Sequence, residues 1–177
     1  RGILELREAL AIYMGGLYGR DIDIERVTVT ASAMNAIAVI MQCVIDPGDN
    51  AVMVGPLWPN ISACAEFMGG EVREVSLEPG EDRWRLDLDR LFDSVDERTK
   101  VVLVNSPSNP TGWVMRQEEQ RAVLEFCRAR GIWVVADEVY DRMWVFQNAL
   151  EADSVVGAVV SPAVLLAHAR TLPFAGF

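Results

Sequence analysis

Residues 101–140 read VVLVNSPSNPTGWVMRQEEQRAVLEFCRARGIWVVADEVY, and their pattern decides the fold. Residues 101–104 form a short unbroken apolar run rich in β-branched side chains, which suits a strand buried on both faces. The run stops at Asn105. In the loop that follows, Pro107, Pro110 and Gly112 fix the backbone by ring constraint and turn geometry rather than by a ladder, so its side chains are held still. Val123, Phe126 and Cys127 then share one helical face between charged residues, and Gly131 is placed to close that helix with a left-handed cap. A second buried strand, 132–136, runs into Asp137-Glu138. Carboxylates at the end of an apolar strand are costly unless something cationic meets them. Strand, helix and strand in this order make a right-handed parallel crossover, and such sheets bind ligands at the carboxyl ends of their strands. Asn109 and Asp137 both lie there.

Upstream, the same alternation continues. Leu6, Ala9, Leu10 and Tyr13 keep helical spacing, predicting an amphipathic first helix that ends near Gly15-Gly16. Residues 27–30 alternate and are β-branched, predicting a strand, after which Ser32 is a natural N-cap for an apolar helix running to about residue 44. A strand feeding a helix start presents free backbone N–H groups and the positive dipole end, a good seat for a phosphate. A turn at Asp46-Pro47-Gly48-Asp49 leads to a strand at 51–54, which delivers Gly55-Pro56-Leu57-Trp58 to the same edge. A helix at 59–68 capped by Gly69-Gly70, an edge strand at 71–75, a turn at Pro79-Gly80 and a short helix marked by Leu88, Leu91, Phe92 and Val95 complete an α/β pattern.

At 177 residues with a hydrophobic fraction of 51%, the chain is one globular domain by length, with enough apolar residues for a real core. Its net charge of -10 disfavours nucleic acid and anionic membrane as partners. Cys43, Cys64 and Cys127 lack CxxC spacing and sit in apolar helical contexts, predicting buried reduced thiols and a cytoplasmic setting. No run reaches the roughly twenty residues that span a bilayer, and no signal pattern opens the chain. His168 stands alone, so no metal site is expected.

SPSNPTG at 106–112 followed by ADEVY at 136–140 resembles the class I and II aminotransferases, fold type I pyridoxal-phosphate enzymes of the aspartate aminotransferase type. GILELREALA at 2–11 is similar to the helix leading into that family's large domain. The resemblance implies a three-layer α/β/α fold with a mostly parallel sheet, and a partial cofactor-binding large domain over 1–145. It implies that pyridoxal 5'-phosphate is held by Asp137 at the ring nitrogen and by Asn109 and Tyr140 at the phenolic oxygen. Ser32, Ala33 and Met34 would take the phosphate, and Trp58 would stack on the ring. Asn109-Pro110 would be a cis peptide, and the full-length parent a homodimer. The implied reaction moves an amino group between an amino acid and a 2-oxo acid. Carbon-sulfur lyases and aminocyclopropane-carboxylate synthases share these motifs, and a non-enzymatic remnant is a further alternative.

The family's cofactor-binding lysine would come later. Lys100 is the only lysine in the sequence and falls at the amino end of its strand, so no catalytic residue is assigned and the chain is expected to be catalytically impaired. Residues 146–177 carry few charges and no clean period. They read as an atypical tail, truncated or frame-shifted, and the missing initial methionine adds to the expectation of a fragment.

Overall fold

The computed structural model describes residues 1–81 and 83–140 in full and Val164–His168 as backbone. Its centre is a five-stranded sheet in the order β2-β1-β5-β6-β7. The strands are β1 (Asn50–Gly55), β2 (Glu71–Ser76), β5 (Thr99–Asn105), β6 (Trp133–Asp137) and β7 (Val164–His168). β2, β1, β5 and β6 are mutually parallel, and β7 runs antiparallel to β6. A small hairpin of β3 (Glu78–Pro79) and β4 (Trp84–Arg85) stands apart.

The central strands are apolar on both sides because both sides are covered. Rows of side chains cross the sheet in register: Met53, Leu103 and Val135 in one row, Val52, Val102 and Val134 in the next. The first row belongs to a core completed by α2 (Ala33–Val44) and α3 (Pro59–Phe67), through Ile37, Met41, Ile61 and Ala65. The second row packs against α4 (Leu88–Asp93) and α5 (Gln117–Arg130), through Leu91, Val123, Leu124 and Cys127. Three layers result, as the sequence predicts. β2, at the edge, buries only Val75, which explains its alternation.

Several expectations need correction. α1 spans Leu4–Tyr18, past Gly15 and Gly16, and ends at Gly19 with φ 63°. A pair of glycines costs a helix little more than propensity, whereas the left-handed Gly19 closes this one. Its buried residues are Arg7 and Ala11, while Leu6 and Tyr13 are exposed. Arg7 turns inward because its guanidinium donates to the carbonyls of Val27 and Ile24 and pairs with Glu25. Residues 27–30 are extended but join no sheet; Val29 N–H donates to the carbonyl of Arg1. β-branched alternation marks extended backbone, and whether it becomes a strand depends on a neighbour. Of the three thiols only Cys127 is buried, and burial pushes its pKa up to about 12. Cys64 is half-buried and Cys43 exposed, because helical apolar context does not say which face a residue takes. β7 falls within the stretch that shows no readable period. The tail positions 146–163 and 169–177 lie outside the described residues.

α2 reaches β1 through only residues 45–49. A 12-residue helix is about 18 Å long, and a six-residue strand about 20 Å, so helix and strand run back along each other. The amino end of α2 therefore sits level with the carboxyl ends of the strands.

Leu103 is fully buried at the middle of the central strand. Leu103→Ala is expected to cost about 2–5 kcal/mol, read as a lower urea midpoint with an unchanged slope.

Candidate functional site

Asn105 and Asp137 are paired residues at the carboxyl ends of β5 and β6. Extending the β1–β5 register by two residues sets Gly55 level with them. By the two-residue alternation, Asn105 and Asp137 share the side of Leu103 and Val135, the face that α2 covers. The amino end of α2 and the two strand ends thus meet on one side of one edge.

Asp137 is only 5% exposed. Burial raises its pKa above the ordinary carboxylate value, against a smaller opposing effect of the Val139 N–H, which donates to Oδ1 at 3.2 Å. Among the described residues no cation pairs with it. The contrast with Asp96, at the opposite edge, is informative. Asp96 accepts from the Asn50 amide at 2.8 Å and pairs with Arg73 at 2.8 Å, and these hold it well below the usual carboxylate range. Asp96 is a structural acid with its partners in place. Asp137 has the environment of an acid awaiting a cation.

Asn109 and Tyr140 come together: the Asn109 side-chain amide donates to the Tyr140 hydroxyl at 3.3 Å. The loop between them and β5 contains two cis peptides, Ser106-Pro107 and Asn109-Pro110, and Gly55-Pro56 is a third. The second was expected and the others were not. Gly112, at φ 69°, and the bond from its N–H to the Ser108 carbonyl close the loop.

Ser32 is exposed and caps α2, its Oγ accepting from the Asn35 N–H at 3.1 Å. Ala33 and Met34 lie in the first helical turn, where backbone N–H groups have no intrahelical acceptor. Ser32 is delivered by the extended 27–30 segment and not by a sheet strand, so three strand ends, rather than four, supply the site. Trp58 is the N-cap of α3 and is 50% exposed, unlike the core Trp113 at 5%. A tryptophan left out of the core at this edge has a flat face available. A cavity of about 700 Å³ between the hairpin and the loop, lined by Arg83, Trp84, Thr111, Gly112 and Trp113 among others, includes none of the seven expected cofactor residues.

Two participants escape the sequence reading. Asn105, 2% exposed, connects the two strand ends through its side chain. Tyr18, at the end of α1, donates to the buried Glu138 carboxylate at 3.3 Å. Only the abrupt switch from an apolar run to Asn signals the first; the second pairs residues 120 apart and has no local signature. Lys100 pairs with Asp49 at 3.6 Å at the far edge, where β5 begins. Among the described residues no His, Cys, Asp and Glu cluster could hold a metal, and no helix is long and apolar enough to cross a membrane.

Gathered at this edge are a buried acid with no cation beside it among the described residues, an amide-phenol pair one strand away, and a helix start on the same side. A family model described as aminotransferase class I and II matches residues 1–169, so the chain belongs to that family. The aspartate aminotransferase of Thermotoga maritima is 34% identical over 143 residues, 81% of this chain and 38% of that protein. The probable N-succinyldiaminopimelate aminotransferase DapC of Mycobacterium tuberculosis is 33% identical over 177 residues, 99% of this chain and 39% of that one. The solved Thermotoga maritima aspartate aminotransferase superposes with a TM-score of 0.76 at 34% identity, over 80% of this chain and 38% of its own. The chain thus spans less than two fifths of these relatives' length.

A raised carboxyl pKa means that the folded state holds its proton more tightly than the unfolded chain, so the ionised acid costs stability as pH rises through its folded pKa. Asp137→Asn, which keeps an acceptor for Val139, is expected to raise the thermal midpoint of the ligand-free chain at pH 7, by about 2–4 °C per kcal/mol regained. The gain should shrink as pH falls towards the ordinary carboxylate value of 3.8. Calorimetry across that range checks both.

Proposed function

We propose that this chain forms the cofactor-holding surface of a pyridoxal-phosphate-dependent aminotransferase whose substrates are an amino acid and a 2-oxo acid. The observation that carries the reading is Asp137, buried and without a cation among the described residues, one strand away from the loop that presents Asn109 to Tyr140. When bound, pyridoxal phosphate supplies an electron sink for charge developing at the substrate carbon. Asp137 keeps the ring nitrogen protonated. Asn109 and Tyr140 donate to the phenolic oxygen, and Trp58 covers one face of the ring and excludes water. The Ser32 hydroxyl and the amides of Ala33 and Met34 hold the phosphate at the positive end of α2. The cytoplasmic setting and the homodimer belong to the same reading.

A lyase reading has one observation in its favour: the S-alkyl-thiohydroximate lyase SUR1 of Arabidopsis thaliana is 35% identical over 141 residues. Transamination and lyase chemistry need the same sink, so the binding surface serves both, and the products formed by the longer protein separate them.

Titration with pyridoxal phosphate is expected to give saturable binding to this chain. Asp137→Ala should weaken it about 10–100-fold, the loss of a charge-assisted hydrogen bond. Borohydride treatment should leave Lys100 unmodified by mass spectrometry. Absence of saturable binding would favour a non-enzymatic role, and a pyridoxyl adduct on Lys100 would overturn noncovalent binding.

A further inference from the structure

We infer that Asn105 is a positioning residue, one that sets the spacing between Asp137 and Asn109 and so governs affinity for the pyridine ring. The inference rests on the proposed function. Its ground is that one buried side chain touches both halves of the site. The Asn105 Oδ1 accepts the Asn109 N–H at 2.7 Å, and its Nδ2 donates to the Asp137 carbonyl at 3.2 Å. That carbonyl also accepts the Ser106 N–H at 3.0 Å, so the Asp137 backbone is held twice, by the last residue of β5 and by the residue after it.

The path then closes on itself. From Asp137 the chain turns under the Val139 bond to Tyr140, whose hydroxyl meets the Asn109 amide, and Asn109 returns through its own N–H to Asn105. A residue that merely ended the strand would need one bond to its own loop. Asn105 instead spans from its loop to the neighbouring strand, and uses a donor and an acceptor to do it. A carboxylate at this position could accept but not donate, and a hydrocarbon could do neither. With Asn105 at 2% exposure, water is poorly placed to substitute.

The phosphate seat on α2 is independent of this path, which gives the test its discrimination. Binding of pyridoxal phosphate and of inorganic phosphate is measured by calorimetry on the chain and on Asn105→Leu, Asn105→Asp and Asn105→Ser. Pyridoxal phosphate affinity should fall about tenfold or more, because the acid and the amide must then be ordered on binding, while inorganic phosphate affinity stays unchanged. With cofactor labelled at the ring nitrogen, the ¹⁵N resonance should move towards that of the free cofactor as Asp137 loosens. Equal loss of both ligands, or no change in either, overturns the inference. So does failure of all three variants to fold, because the role is then structural alone. If the unaltered chain binds no pyridoxal phosphate, the proposed function falls too; normal binding by the chain and the variants alike sinks only this inference.

Discussion

A carboxylate buried at the end of an apolar strand, with no cation beside it among the described residues, is the constraint to which the surrounding structure answers. Charge in such a place costs several kcal/mol unless something positive is supplied. Asp137 is nonetheless kept there by β6, whose four preceding residues are apolar, and by two donors, Asn105 and Ser106, that fix its carbonyl. Among the described residues the fold offsets that cost only in part, through the Val139 N–H that donates to Oδ1. Asp96 shows that the same chain satisfies a structural acid fully when it needs one, with an amide and a guanidinium. Difference of treatment, rather than the mere presence of an acid, sets Asp137 apart from the structural acid.

The parallel sheet turns that single residue into a site. Because β1, β5 and β6 run the same way and in register, Gly55, Asn105 and Asp137 arrive level, and each leads directly into a loop. Antiparallel neighbours would have sent alternate loops to opposite edges. The short link from α2 to β1 adds the helix start to the same edge on the same face. Three kinds of group are thus gathered at one edge: an acid, neutral hydrogen-bonding groups, and a helix start with free amides.

Much of this is written locally and was legible. The β5-α5-β6 unit shows unmixed apolar runs, a helix of period 3.6 and a glycine cap, and the structure places all three as read. The pairing of Asn109 with Tyr140 follows the motifs that carry the family resemblance. What could not be read depends on partners distant in sequence. Residues 27–30 have strand chemistry and no adjacent strand, so they stay extended and unpaired in a sheet. Arg7 looks like a solvent residue on a helical wheel, yet three acceptors from residues 24–27 make burial favourable. Cys43 and Cys64 share an apolar context with Cys127 but take other faces. β7 gains its place by pairing with β6, apolar up to its last residue, which supplies the order that its own pattern lacks.

Asn105 shows why a motif read as a string understates its site. In the sequence it is the residue at which the apolar run ends, and nothing distinguishes it from an ordinary strand terminator. Its value lies in register: pairing with Asp137 places its side chain within reach of the acid's backbone and, four residues on, of the amide of Asn109. Shifting the pairing by one residue would turn the side chain to the opposite face and separate the two. The β-ladder and the loop bonds are therefore one device, since the regular strand pairing measures out a distance that the irregular loop alone could not hold. Both ends of that device lie within residues 105–140, so it is encoded by one strand-helix-strand unit.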